Sequence, residues 1–140
     1  MSRSKKAADI AQASEFIETK NDRYESSIAQ GGSNVSGGQK QRLAIARAIA
    51  KDPHIYVFDD SFSALDMKTD ARLRAALAEV TEKASVIIVA QRISTILNAD
   101  KILVLDDGHM AGIGSHKELM KSCEVYRQIA MSQLSEEELA

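Results

Sequence analysis

The residues best suited to chemistry are a serine and two glycines at the start of a helix. Ser36-Gly37-Gly38-Gln39 leads directly into an apolar, alanine-rich stretch that Asp52-Pro53 ends. The serine can cap this helix, and the glycines let a ligand approach the backbone closely. Because the first N–H groups of a helix have no internal partner and lie at its positive end, they attract anions. This pattern predicts a phosphate-type anion site; an ordinary serine-capped helix start is the alternative.

Two carboxylates follow at the end of an apolar strand. The stretch His54–Phe58 runs into Asp59 and Asp60, and Ser63 and Asp66 come shortly afterwards. In α/β proteins, ligands bind beyond the carboxyl ends of the strands. For Asp59, a capping carboxylate at a strand end is the purely structural alternative.

This order of motifs resembles the nucleotide-binding domain of ATP-binding-cassette (ABC) transporters. In that family, Ser36–Gln39 corresponds to the signature motif, Ile55–Asp59 to the Walker B strand and Ser63–Asp66 to the D-loop. The resemblance covers nearly the whole chain, and several motifs in one order are far more specific than any single motif. It implies an α/β fold, a partial P-loop NTPase (ABC ATPase) domain with a parallel sheet flanked by helices and a C-terminal piece of the helical subdomain.

The resemblance also assigns roles to individual residues. Asp59 is the expected Mg²⁺ ligand, since a hard cation takes oxygen ligands. The expected nucleotide-binding residues belong to the signature motif and the D-loop. They are Ser36, Gly37, Gly38, Gln39, Ser63 and Asp66. ATP and Mg²⁺ are the expected cofactors, bound together with a P-loop half or a partner domain.

Asp60 and Gln91 depart from the family pattern at its two catalytic positions. Active members have a glutamate in place of Asp60, as the base that polarises the attacking water, and a histidine in place of Gln91. Aspartate is one methylene shorter; a misplacement of about 1 Å can cost ~10²-fold in rate, and a positioned base contributes ~10²–10⁴-fold. Glutamine can donate a hydrogen bond but does not titrate. The two departures resemble the degenerate subunit of heterodimeric ABC exporters, which implies ATP binding with slow hydrolysis.

The sequence contains no G-x-x-x-x-G-K-[ST] phosphate-binding loop. We therefore expect residues 1–35 to be the end of the helical subdomain and a linker. Residues 36–140 are expected to be the C-terminal part of a nucleotide-binding domain, with its P-loop half absent and Met1 an internal boundary. Such a fragment of an ATP-hydrolysing transporter is predicted to be inactive alone. Its strand Val86–Ala90 would expose an apolar edge, so the isolated chain is predicted to be marginally stable or to self-associate.

Composition excludes several other classes of protein. The chain has 140 residues, 44% of them hydrophobic, and a formal net charge of −2, which leaves no electrostatic footprint for nucleic acid. Cys123 is the single cysteine and cannot form an internal disulfide, which fits a reducing compartment. No apolar run approaches the roughly 20 residues that cross a bilayer.

The function implied by the resemblance is the ATP-binding component of an exporter, for instance of multidrug or lipid type, at the cytoplasmic side of the cell membrane. Its expected partners are membrane-spanning domains and a second nucleotide-binding domain on a non-identical subunit. One alternative is a stand-alone ABC remnant that acts as an interaction module. Another is a non-transport ABC ATPase of the DNA-repair or ribosome-associated kind.

Local signals predict the secondary structure that positions these residues. The predicted helices are residues 5–18, Gln39–Ala50, Met67–Thr81, Thr95–Asn98, His116–Lys121 and Val125–Leu134, with caps at Asp66, Ser94 and Ser115. The predicted strands are Ile55–Phe58 and Val86–Ala90, both buried, and a hairpin of Lys101–Leu105 and Met110–Ile113. Residues 19–35 read as a loop, and Glu136–Glu138 as a solvated tail.

Overall fold

The computed structural model describes residues 2–135, so the predicted tail Glu136–Glu138 lies outside the described residues. The chain divides into two compact units, one that ends at Ile87 and one that begins at Ile88. The boundary expected after residue 35 stays a prediction. Within residues 2–135, no helix is both long enough and apolar enough to cross a membrane.

The first unit joins helices to a two-stranded sheet. Its elements in chain order are α1 (Arg3–Ile10), α2 (Ser14–Glu18), α3 (Gly37–Lys51), β1 (Ile55–Asp59), α4 (Met67–Thr81) and β2 (Ser85–Val89), whose last residues extend past the division between the units. Short 3₁₀ turns at Arg23–Glu25 and Gln30–Gly32 lie in the predicted loop. β1 and β2 are neighbours in a parallel sheet, and α4 connects them. The α/β fold class predicted from the sequence is confirmed.

The predicted helix over residues 5–18 is wrong, because the chain breaks it into α1 and α2. Gln12 lies between the two helices with a φ of 56°, in the left-handed region. Its neighbours Ala11 and Ala13 are both fully buried. The turn at Gln12 buries the small residue on each side of it, yet the apolar spacing before and after it still matches one continuous helix.

The predicted burial of β1 on both faces is also wrong. Tyr56 and Phe58 are buried, whereas Ile55 and Val57 are 59% and 63% exposed. The buried face is an aromatic stack, with the ring centroids of Tyr56 and Phe58 6.0 Å apart. No element of the described chain covers the opposite face, so the strand alternates between buried and exposed side chains.

β2 has exposed apolar side chains on both of its faces. Val86, Ile87 and Val89 are 41%, 53% and 54% exposed, so its interpretation as a buried strand is wrong. The apolar exposure that the sequence predicted for this strand is confirmed. An exposed apolar strand is a template for pairing with another chain.

The second unit is a hairpin packed on two helices. Its elements are β3 (Ile102–Asp106), β4 (His109–Gly114), α5 (His116–Ser122) and α6 (Glu124–Gln133), preceded by a 3₁₀ turn at Ile93–Thr95. β3 and β4 pair antiparallel, with Ile102 opposite Gly114 and Asp106 opposite His109. Asp107 and Gly108 both have positive φ, as two-residue hairpin turns require. The predicted hairpin and the last two helices are confirmed.

The core of the second unit lies between its hairpin and its helices. Its buried residues are Ile93, Ile102, Val104, Leu119, Cys123, Tyr126, Ala130 and Leu134. The hydroxyl of Tyr126 lies 2.8 Å from Nδ1 of His116, and burial raises the pKa of Tyr126. Cys123 is a buried core thiol.

The short helix predicted at Thr95–Asn98 is wrong, and so is its serine cap. A 3₁₀ turn, Ile93–Thr95, stands there instead, and no side chain caps it from within the segment. Oε1 of Gln133, forty residues further along the chain, accepts the N–H of Ile93 at 2.9 Å. A distant side chain thus takes over the role that a local cap would have, which no local pattern reveals.

Candidate functional site

The start of α3 has the geometry that an anion site needs. Ser36 is the N-cap, and its Oγ accepts the N–H of Gln39 at 3.3 Å. In return, Oε1 of Gln39 accepts the N–H of Ser36 at 3.1 Å, which completes a capping box. Since Oγ of Ser36 serves as an acceptor inside the box, its own proton is free to be donated outward. The N–H groups of Gly37 and Gly38 have no partner within the helix and point toward its start.

Gly38 lets the D-loop lie directly against this helix start. A Cβ at Gly38 would lie only 3.0 Å from the carbonyl oxygen of Ala64. At Gly37 the corresponding Cβ would lie 3.7 Å from the Cβ of Ala64, an ordinary contact. Gly38 is therefore required by packing within the chain, which sequence reasoning had attributed to ligand approach alone.

Gln41 is a site residue that sequence reasoning missed. Its Nε2 donates to the carbonyl oxygen of Asp60 at 3.1 Å and to Oγ of Ser63 at 3.0 Å. Its Oε1 accepts the N–H of Ala64 at 3.0 Å. In the sequence, Gln41 is only one of several polar residues in the α3 stretch, and nothing there indicates that it faces the turn after β1.

The end of β1 presents both of its carboxylates to solvent. Asp59 and Asp60 are exposed, and Asp60 has a φ of 48°. Aspartate is among the few residues that tolerate this left-handed conformation. Oγ of Ser63 also donates to the carbonyl oxygen of Asp60, at 3.1 Å, so that this carbonyl accepts two hydrogen bonds.

The carboxylate at the end of β1 suits a metal ion that takes most of its ligands from phosphates and water. Among residues 2–135, no group of three or more His, Cys, Asp or Glu side chains could hold a metal ion. Mg²⁺ in nucleotide sites is bound through one or two carboxylates, with phosphates and water as the other ligands. The exposed carboxylate of Asp59 fits such a role as a single protein ligand.

Aromatic packing anchors the segment between the two carboxylates and the D-loop. The ring of Phe62 is buried, 5.4 Å from the ring of Phe58 between centroids. The guanidinium of Arg74, on α4, lies 4.5 Å from the centroid of Phe62. Through these contacts, the segment that leads to the D-loop packs against both β1 and α4.

Asp66 caps α4, as the sequence predicted. Its Oδ1 accepts the N–H of Thr69 at 2.9 Å, and its Oδ2 accepts the hydroxyl of Thr69 at 2.6 Å. The hydrogen bonds from Thr69 favour the ionised carboxylate and hold the pKa of Asp66 below its usual range. In the described chain, the side chain of Asp66 thus stabilises the helix start.

Long-range contacts of Arg42 fix the position of α3. Its Nη1 donates to the carbonyl oxygen of Gln12 at 2.6 Å, and its guanidinium lies 4.9 Å from the ring centroid of Phe16. The left-handed turn at Gln12 therefore presents a carbonyl to the helix that carries the signature motif. Asn34 braces the preceding loop through hydrogen bonds to Ser27 and Ala29.

The first unit brings together the signature motif, Asp60 and Ser63, whereas Gln91 belongs to the second unit. Gln91 is exposed, and its carbonyl oxygen accepts Nε2 of Gln133 at 2.9 Å. The same side chain binds the N–H of Ile93, so the amide of Gln133 spans both backbone groups. The backbone after β2 is thereby fixed to α6.

Comparison with known proteins agrees with this architecture. Residues 2–63 match the ABC transporter family. The chain is 49% identical over 127 residues to an uncharacterized ABC transporter ATP-binding protein of Mycobacterium bovis, covering 91% of this chain and 22% of that protein. It is 46% identical over 118 residues to a β-(1→2)glucan export ATP-binding/permease protein of Rhizobium johnstonii, covering 84% of this chain and 20% of that protein.

A solved structure shows the same relationship in three dimensions. A bacterial Atm1-family ABC exporter with ATP bound superposes with a TM-score of 0.89 at 36% identity, covering 96% of this chain and 23% of that chain. The fold is that of a part of an ABC nucleotide-binding domain. The chain belongs to the ABC transporter family of ATP-binding proteins. It spans about a fifth of the length of the curated relatives named here.

Proposed function

We propose that this chain is part of the ATP-binding component of an exporter and couples ATP binding and hydrolysis to the transport of a substrate, of multidrug or lipid type, across a membrane. Similarity to a protein named for glucan export and to an Atm1-family exporter supports export over other uses of the domain. In this proposal the chain works at the cytoplasmic side of the membrane, together with membrane-spanning domains.

The observation that carries the proposal is the free donor set at the start of α3. Within residues 2–135, no group accepts the hydroxyl proton of Ser36 or the N–H groups of Gly37 and Gly38, so they can bind phosphate oxygens at the positive end of the helix. Asp59 would hold Mg²⁺, which when bound with ATP neutralises phosphate charge. Ser63 ties the D-loop to α3 by accepting a hydrogen bond from Gln41, and Asp66 caps α4 at the end of the D-loop.

The proposal includes a division of labour between two sites. Asp60 and Gln91 stand where active relatives carry a glutamate and a histidine, so the site on this chain is proposed to bind ATP and turn it over slowly. The signature motif, Ser36–Gln39, is intact and would complete a working site on a second, non-identical nucleotide-binding domain. Asp60 keeps the negative charge of the usual base, but with a shorter reach.

A pair of matched capping variants tests the proposal. Ser115 caps α5 with the same kind of capping box, in which Glu118 takes the role that Gln39 has on α3. Ser36→Ala and Ser115→Ala should each lower the free energy of unfolding by about 1 kcal/mol. In the membrane complex that contains this chain, only Ser36→Ala should raise the KM for ATP, by about 10-fold, because a hydrogen bond to a charged phosphate is lost. Equal ATP kinetics for the two variants would refute the proposal.

The exposed apolar side chains of β1 and β2 favour a second candidate, a stand-alone interaction module. The two candidates differ in the size and location of the natural product. An antibody against the last residues would detect either a product several times larger than 15.3 kDa in the membrane fraction, as an exporter subunit requires, or a product of this size outside it. The second result would favour the interaction module.

A further inference from the structure

The amide of Gln41 joins the helix of the signature motif, which is proposed to complete the partner's site, to the turn that carries Asp60 in the site on this chain. We propose that Gln41 is a positioning residue, which locks the turn of residues 60–64 to the helix start at Ser36–Gln39 so that both move as one body. The inference rests on the proposed function, because it concerns how a phosphate group bound at the signature motif acts on the turn that carries Asp60. Gln41 itself is not proposed to contact nucleotide.

Every polar atom of the Gln41 side chain is used within the turn. Nε2 donates to the carbonyl oxygen of Asp60 and to Oγ of Ser63, and Oε1 accepts the N–H of Ala64. The three distances lie between 3.0 and 3.1 Å. Between β1 and α4, the amide of Gln41 supplies hydrogen-bond partners to backbone groups that lie outside regular secondary structure. Binding this turn takes a donor and an acceptor on one side chain, which glutamine has.

The turn has two further constraints that make it rigid. Oγ of Ser63 donates to the carbonyl oxygen of Asp60, so the acceptor of Gln41 is also tied within the turn. The carbonyl oxygen of Ala64 lies where a Cβ of Gly38 would approach it to 3.0 Å. Glycine at position 38 and glutamine at position 41 therefore hold the same turn from two neighbouring points of α3.

The consequence concerns the carboxylate of Asp60. Its φ of 48° is an uncommon conformation for a residue other than glycine, and it persists when surrounding contacts hold it. Gln41 and Ser63 supply those contacts at the carbonyl group of Asp60. A shift of α3 on binding a phosphate at Ser36–Gln39 would therefore move the backbone of Asp60 with it.

Hydrogen exchange on the chain tests the lock without nucleotide. Gln41→Leu removes all three hydrogen bonds, and Gln41→Glu keeps an acceptor for Ala64 while losing the donor to Asp60. We expect the N–H of Ala64 to exchange at least 10-fold faster in Gln41→Leu, and to stay closer to wild type in Gln41→Glu. Gln128→Leu is the matched control, because the amide of Gln128 bonds, among residues 2–135, only to the side chain of Glu124 on the same exposed face of α6. Exchange of Ala64 that is unchanged in Gln41→Leu would overturn the inference.

Steady-state kinetics of the complex in its membrane then separates positioning from binding. For Gln41→Leu and Gln41→Glu we expect kcat to fall about 10-fold while the KM for ATP stays within about twofold, because a turn misplaced beside the signature motif costs rate at the partner's working site more than affinity. A change in KM alone, or no change in kcat, would overturn the inference. If Ser36→Ala has no effect on ATP kinetics, the proposed function fails, whereas exchange at Ala64 still decides whether Gln41 locks the turn.

Discussion

Asp66 accepts both the backbone N–H and the hydroxyl of Thr69, at 2.9 and 2.6 Å. These bonds favour the ionised form, so the pKa of Asp66 is lower in the folded chain than its usual value of 3.8. Its contribution to stability is therefore complete above that value and is lost as the pH falls through the lower, folded pKa. We expect Asp66→Asn, which keeps the cap but cannot titrate, to flatten the acid loss of stability below about pH 4. Urea unfolding between pH 6 and pH 3 measures this.

Glu118 provides an internal comparison in the second unit. Hydrogen bonds from the N–H and hydroxyl of Ser115 lower the pKa of Glu118 from 4.5. Glu118→Gln should therefore also reduce the loss of stability at acid pH, beginning at a slightly higher pH. Glu82→Gln, which removes an exposed carboxylate after α4 without disturbing a helix N-cap, is the control for the change of charge. Identical pH dependence in the wild type and in both cap variants would contradict the prediction.

Gly112 and Cys123 are packed too closely for an added methyl group. A Cβ at position 112 would lie 3.0 Å from Sγ of Cys123 and 3.0 Å from Cδ2 of Leu119. We expect Gly112→Ala to lower the free energy of unfolding by about 1–3 kcal/mol, as overpacking of a core does.

A double-mutant cycle tests the cause of that loss. Cys123→Ala removes the sulfur that the new methyl group would meet, so the double variant should lose less stability than the sum of the two single variants. Chemical denaturation of the four proteins gives the coupling. Strict additivity would mean that Leu119 or the strand backbone, and not the thiol, limits the space at Gly112.

The left-handed backbone of Asp60 predicts a cost for the residue that active relatives carry. Aspartate and asparagine tolerate positive φ better than longer side chains do. Asp60→Glu should therefore lower the free energy of unfolding by about 1 kcal/mol, whereas Asp60→Asn should be nearly neutral. Equal stabilities of the two variants in chemical denaturation would contradict the argument.

The proposed slow site predicts a gain of activity when both departures are reversed. Asp60→Glu with Gln91→His, in the membrane complex that contains this chain, should raise hydrolysis at this site by at least 10-fold, because a positioned base contributes ~10²–10⁴-fold. Single-turnover assays that resolve the two sites measure the effect. The variant Asp60→Asn with Gln91→His is the control, since it restores the histidine without the base. No gain in the first variant would refute the proposed degenerate site.

The exposed apolar side chains of β2 predict self-association of the isolated chain. Ile87 is 53% exposed on a strand, where a neighbouring chain can pair. Ile87→Lys should shift the chain toward the monomer in analytical ultracentrifugation. Met67→Lys is the matched control, because Met67 is 90% exposed but starts a helix and offers no strand edge. An equal shift in both variants would indicate a general effect of charge.

Local signals in the sequence were sufficient for several elements. Asp66 and Ser115 each cap the predicted helix, and the Asp107-Gly108 turn closes the predicted hairpin. In each case the deciding hydrogen bonds or dihedral angles lie within a few residues of one another. Ser36 and the glycines after it likewise indicated the start of α3, because capping is a property of one short segment.

Contacts between distant residues decided the rest. Gln41 holds a turn about twenty residues further along the chain, and Gln133 binds the backbone beside Gln91 across more than forty. The break at Gln12 supplies a carbonyl to Arg42, thirty residues away. Likewise, the apolar residues of β1 and β2 do not show which face of each strand another element of the chain will cover. Composition and periodicity record the preferences of a segment, whereas burial and long-range hydrogen bonds depend on what the folded chain places beside it.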